Sequence, residues 1–160
     1  MKLRHVVALA GLVAIGSPAL AQTPSLVVEK KVLTLAAARK IVAAAEAEAA
    51  KRQLGVVIVV VDDGGTVIEL ARMDAAQVAS VNVGIGKART AAIYRRPSRV
   101  FEEQIRDGRI AALALADATP LQGGVPVVID GQVVGAVGVS GDSPKVDEEI
   151  AIVGASALAR

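Results

Sequence analysis

Q-G-G-V-P-V-V-I-D-G-Q-V-V-G-A-V-G-V-S-G-D-S-P-K-V-D-E-E, residues Gln122 to Glu149, holds a β-hairpin and the start of a helix. Two apolar runs, Val125 to Ile129 and Val133 to Val139, flank Asp130-Gly131, a dipeptide suited to the two-residue turn whose twist matches its strands. Gly135, Gly138 and Gly141 leave bare backbone in or beside the second run, a mark of close approach by a ligand or another chain segment. Ser143-Pro144 then opens a helix expected over Lys145 to Leu158. Upstream, Val56 to Val61 reads as a strand buried on both faces, and Asp62-Asp63-Gly64-Gly65 turns it back into a partner strand, Thr66 to Met73. Two tight hairpins force antiparallel pairing. The expected fold is therefore α+β, an antiparallel sheet built from two hairpins with helices packed on it.

The remaining elements follow from caps and breakers. Thr34 caps a helix from Leu35 to Leu54, with Gly55 at the left-handed position after it. Leu26 to Val28 reads as an edge strand. A long helix spans Gln77 to Tyr94 and stops before Pro97. Ser98 caps Arg99 to Arg106, Glu102 and Glu103 sit in its first turns, and Gly108 ends it. Arg109 to Leu115 forms a further helical turn.

The first 21 residues have the three parts of a secretory leader. Lys2, Arg4 and His5 are basic, Val6 to Ile15 is apolar, and Ala19-Leu20-Ala21 is a small-x-small cleavage site. The apolar part is shorter than the roughly 20 residues a membrane span requires. The expectation is export to the periplasm or the outside, with residues 22–160 as one domain and no membrane attachment after cleavage. Cleavage also removes Lys2 and Arg4 from 18 basic residues, leaving 16 against 16 acidic. A formally neutral chain carries no electrostatic case for nucleic acid.

Beyond the leader there is no His, and the chain has no Cys. The usual zinc sites, His-based acid–base chemistry, Cys or Ser–His nucleophiles and His-ligated haem are excluded together. Gly84-Ile85-Gly86-Lys87-Ala88-Arg89-Thr90 fails both phosphate-loop patterns, so no nucleotide cofactor is indicated. The acidic groups Asp62-Asp63, Glu102-Glu103 and Asp147-Glu148-Glu149 lack calcium-loop spacing. Helix N-terminal charge stabilisation accounts for the last two groups.

On a helix, Val83, Lys87, Thr90 and Tyr94 share a face carrying a cation, a hydroxyl and a phenol. That face reads either as the wall of an anion pocket or as a surface with a core-packed tyrosine. Arg89 and Arg96 lie on another face. Arg72 and Asp74 share one side of a strand end and Met73 takes the other. Arg72 either clamps a carboxylate or pairs with Asp74 or Glu69.

These stretches carry a resemblance. Ala71 to Ala76 (A-R-M-D-A-A), Gly86 to Ala92 (G-K-A-R-T-A-A), Arg96-Pro97 and the C-terminal hairpin resemble the GlcG/HbpS-like haem-binding (haem-degrading) family. The same domain occurs at the C-terminus of PduO-type cobalamin adenosyltransferases. The resemblance covers residues 33–158 and implies a profilin-like sheet, homo-oligomers and an extracytoplasmic role in haem or tetrapyrrole binding. The family usually shows R-M-D-G, and Ala75 stands in the last place here. The candidate ligand-binding set is Arg72, Asp74, Lys87, Arg89, Thr90, Tyr94, Gly123 and Gly124. Tyr94 or Met73 is the candidate axial ligand, with Thr90 weaker; no other metal site is expected. An enzyme acting on haem or a small oxygenated acid, and a sensory or interaction module, are the alternatives. Self-association is expected from the aliphatic composition, with Gly84, Gly86, Ala88, Ala91 and Ala92 letting backbones approach across subunits.

Overall fold

The computed structural model describes residues 26–158; the expected leader, residues 1–21, lies outside them. Helix α1 runs Leu35–Lys51, strands β1 and β2 Val57–Asp62 and Val67–Arg72, and helices α2 and α3 Ser80–Ile93 and Arg99–Arg106. A 3₁₀ segment, Ile110–Ala114, precedes strands β3, Gly124–Ile129, and β4, Gln132–Ser140, and helix α4, Pro144–Ser156, follows. The sheet is four-stranded and antiparallel in the order β2-β1-β4-β3. The two hairpins meet through β1 and β4. The fold is α+β.

Strand β1 is central, and its composition reflects two buried faces. Val57, Val59 and Val61 meet Ala88, Ala91 and Ala92 of α2, while Ile58 and Val60 meet Ile41 and Ala45 of α1 and Ile150 of α4. Each fully buried Val or Ile contributes about 1.5–3 kcal/mol. Strand β3 lies at an edge, where Pro126 lacks a ladder donor without harm. Asp130 and Gly131 both take positive φ, 49° and 77°, as their hairpin turn requires.

Local chemistry departs from the sequence reading at several ends. Leu26 to Val28 is exposed and forms no strand. Thr34 does cap α1, accepting from the Ala37 amide at 3.1 Å. The helix nonetheless ends earlier than expected, and Gln53, not Gly55, takes the left-handed conformation at φ 58°. Helix α2 starts at Ser80 because residues 73–79 form turns first. Gly108 ends α3 at φ 96°. Ser98 makes no side-chain cap; its hydroxyl is spent on β3, accepting from the Gly124 amide at 2.8 Å and donating to the Leu121 carbonyl at 2.6 Å.

Candidate functional site

Helix α2 is built from small residues, so its backbone rests almost directly on the sheet. A Cβ at Gly138 of β4 would stand 2.2 Å from the Gly84 carbonyl oxygen and 2.6 Å from the Ala88 nitrogen. The small residues expected to bring subunits together are therefore used within the subunit, where Gly84, Ala88, Ala91 and Ala92 are buried.

This closeness drives Lys87 into the interior at the end of β4. Its ammonium donates to Asp147 Oδ2 at 2.8 Å and to the Val139 carbonyl at 3.1 Å. Asp147 Oδ1 accepts from the Asp142 amide at 3.0 Å. Lys87 is 4% exposed and Asp147 2%. Burial pushes the Asp147 carboxyl above the ordinary carboxylate range, and Lys87 with the Asp142 and Gly141 amides pulls it part of the way back. Gly123, at φ 126°, and Gly124 clear the space beside this lysine; a Cβ on Gly124 would lie 2.1 Å from the Lys87 carbonyl oxygen. Lys87, Gly123 and Gly124 thus form a packed unit in which the lysine holds an internal carboxylate. Asp147 serves Lys87 rather than the helix dipole alone, which corrects the sequence reading of that acidic cluster.

Thr90 is also turned inward. Its hydroxyl donates to the Gly86 carbonyl at 2.7 Å and accepts from the Thr119 amide at 2.7 Å, tying α2 to the loop before β3. The shared face of Lys87 and Thr90 is packed against protein and is not an open pocket wall. Arg89 lies over the β1–β2 turn and donates to the Gly65 carbonyl at 3.3 Å.

Tyr94 sits at the end of α2, half-buried. Its hydroxyl donates to the Ala116 carbonyl at 2.7 Å, and its ring meets Phe101 edge-on at 5.1 Å between centroids. The Arg96 guanidinium lies 5.8 Å from the centre of the Phe101 ring. Arg95, between them, is exposed and left-handed at φ 54°. The neighbouring 3₁₀ segment, packed on α3, exposes Ile110 and Leu113 by 69% and 64%. Residues three apart on a 3₁₀ helix stack on one side, so these form a single apolar step.

Arg72 and Asp74 are exposed at the far end of β2. The alternative ion pairs weighed for Arg72 do not form; Glu69 lies 3.8 Å from Arg39 instead. Met73 donates its amide to the Val56 carbonyl at 3.1 Å and packs on the α1 side of the sheet. The eight residues therefore divide among five places: the β2 end, the buried lysine, the Thr90 tie to the loop before β3, the β1–β2 turn and the α2–α3 corner.

A groove of about 380 Å³ lies elsewhere, lined by Lys31, Val32, Leu33, Thr34, Ala37, Ile129, Val134 and Leu158. Its charged lining residue, Lys31, is paired with Asp130, and the Thr34 hydroxyl caps α1. Among the described residues, no group of three or more His, Cys, Asp and Glu side chains could hold a metal ion, and no helix is long and apolar enough to cross a membrane.

The sequence reading gave Asp147 and Ser98 other roles, as helix-terminal charge and helix cap, and did not single out the step made by Ile110 and Leu113. The clue to the last was available: an aliphatic i, i+3 pair in a segment too short to bury both sides.

Comparison with known proteins bears on this arrangement. The chain is 47% identical over 77 residues to protein GlcG of Escherichia coli (strain K12), covering 48% of this chain and 58% of that protein. The matched stretch thus spans less than two thirds of that relative. The crystal structure of Klebsiella pneumoniae protein ORFY aligns with a TM-score of 0.79 and 31% identity, over 85% of this chain and 97% of that one. The crystal structure of a PduOC:heme complex aligns with a TM-score of 0.73 and 25% identity, over 81% and 96%. The family model described as "Haem degrading protein HbpS-like" matches residues 33–156, an interval that takes in both hairpins and every packed helix, and the chain belongs to that family.

Proposed function

We propose that this is an exported haem-binding protein and that the α2–α3 corner receives the tetrapyrrole. The observation that carries the reading is the grouping of Tyr94, Phe101, Arg95 and Arg96 beside the exposed pair Ile110 and Leu113. Haem requires an apolar surface, cations for two propionates and an oxygen, nitrogen or sulfur donor toward iron. The aliphatic step supplies the first and the two arginines the second. The Tyr94 phenol supplies the third once it releases the Ala116 carbonyl, so the residues present fit the group. The family and the haem held by the PduOC neighbour support the ligand class. Bound haem would supply iron and its redox chemistry; this chain's residues orient the ring and neutralise its carboxylates.

Titration of the protein with hemin, followed by Soret absorbance, is expected to saturate at a fixed ratio of haem to chain. Tyr94→Phe is expected to change the iron spectrum, and Arg95→Ala with Arg96→Ala to weaken binding by about 10–100-fold, the value of one or two charge-assisted contacts. No saturable change rejects haem binding, and unchanged affinity in the arginine variant rejects this corner. The family description favours a degradative role, which a second experiment tests: a reductant added to the haem-loaded protein under dioxygen should bleach the Soret band, the dioxygen supplying the oxygen inserted into the ring and the reductant the electrons. Export predicts that the mature chain begins at Gln22 and is recovered outside the cytoplasm; a cytoplasmic chain with residues 1–21 intact rejects it.

A further inference from the structure

We infer that residues 109–118 form a strap that Tyr94 latches in place and releases when its phenol turns to a bound metal. The inference rests on the tetrapyrrole reading of the α2–α3 corner and gives that site a moving part. Tyr94 belongs to the fixed side. It is the C-terminal cap of α2, whose backbone is seated on β4, and Phe101 holds its ring edge-on. Ala116, whose carbonyl accepts from the phenol at 2.7 Å, belongs to the strap.

The strap is loosely attached between firm ends. Among residues 109–118, Ala112 alone is buried, and the 3₁₀ segment packs on α3. Hydrogen bonds leave the strap at its start, from Arg109 to Gln104 of α3, and at Ala116. Left-handed residues stand near both ends: Gly108 at φ 96°, with open space around it, and Asp117 at φ 55°. A few such positions suffice to absorb a hinge motion. Immediately beyond, the chain is fixed again, since Thr90 holds the Thr119 amide at 2.7 Å and Ser98 the Leu121 carbonyl at 2.6 Å. Releasing Ala116 therefore frees the strap without loosening β3. Ile110 and Leu113 ride on it, so the apolar step follows the ring while α2 and the sheet stay still.

Ala116 is exposed, and a carbonyl there that loses its donor is rehydrated. The latch thus biases the strap by about 2–10-fold, the net value of one hydrogen bond. Tyr94 cannot donate to Ala116 once its proton has gone to solvent and its oxygen faces a metal. A ring without a metal makes no such demand on the phenol.

The chain has no cysteine, so Ala116→Cys provides a single exposed site for a nitroxide spin label and keeps the backbone carbonyl. Gallium(III) protoporphyrin IX and metal-free protoporphyrin IX are the probes; both are diamagnetic, and only the first offers a metal to the phenol. Without ligand, the labelled protein is expected to give an ordered nitroxide spectrum. Adding Tyr94→Phe should raise the mobile fraction about 2–10-fold with no porphyrin present. Gallium porphyrin should raise it when Tyr94 is intact, metal-free porphyrin should not, and neither should change the Tyr94→Phe protein further. A label that stays ordered in the Tyr94→Phe protein overturns the latch. Gallium porphyrin that binds and leaves the label ordered, or metal-free porphyrin that frees it, overturns the trigger. If neither porphyrin binds, the corner is not a tetrapyrrole site and the trigger falls with it, while the Tyr94→Phe protein still decides the latch.

Discussion

Lys87→Met is expected to lower folding stability by about 3–5 kcal/mol, because it strands Asp147 in the interior without its counter-ion. The loss also acquires a pH dependence with a definite sign. Burial already raises the folded-state carboxyl above its ordinary value, so at pH values between the unfolded and folded values the native state holds more protons than the unfolded chain. Stability from this group is full below the unfolded pKa and is lost as pH rises through the folded one. Without Lys87 only the Asp142 and Gly141 amides oppose the raising influence. Urea titrations of the variant should therefore show stability falling as pH rises across that window, more steeply than in the parent. Replacing both partners, Lys87→Met with Asp147→Leu, should recover most of the loss, since an apolar pair of similar volume avoids the desolvation penalty. If the single variant is as stable as the parent, the pair carries no such role.

Gly124→Ala is expected to be more damaging than its size suggests. The added methyl would lie 2.1 Å from the Lys87 carbonyl oxygen and 2.7 Å from its carbon, and both are helix backbone atoms that cannot swing aside. Relief requires α2 to lift from β3, which breaks the packing of Ala88, Ala91 and Ala92 on β1. A loss above about 3 kcal/mol follows, at the upper end of overpacking costs, and soluble yield should fall with it. Gly131→Ala provides the contrast. It meets nothing within 4 Å, and its φ of 77° alone sets a cost of about 1–2 kcal/mol. Thermal melts of the two variants separate steric exclusion from backbone strain. Equal melting temperatures would reject the distinction.

The elements were legible where local chemistry decides them. The run Val56 to Val61 has no polar side chain to offer solvent, and Asp130-Gly131 can hardly be read except as a turn. Strand order was not legible, because pairing β1 with β4 depends on two segments some seventy residues apart in the chain. The site was less legible for the same reason. Helical spacing correctly put Lys87 and Thr90 on a common face, but spacing does not say whether a face looks outward. Lys87 turns inward because Gly138 lets α2 descend onto β4 and because Asp147 waits on another helix. Gly123 and Gly124 were expected to bind ligand, and the space they leave instead accommodates Lys87. At the β2 end the isolated strand could not disclose that Glu69 was already engaged by Arg39.

The central position of β4 has a consequence for how this chain is born. Strand β1 pairs on one edge with β2, only a few residues later, and on the other with a strand that begins at Gln132. While the intervening sequence emerges from the ribosome, five consecutive valines and isoleucines, Val57 to Val61, lack both their second strand and the α4 side of their cover. Native closure cannot precede the emergence of β4. Until β4 and α4 have emerged, this apolar run stays uncovered on the nascent polypeptide, the kind of exposed surface that makes incompletely folded chains prone to aggregate.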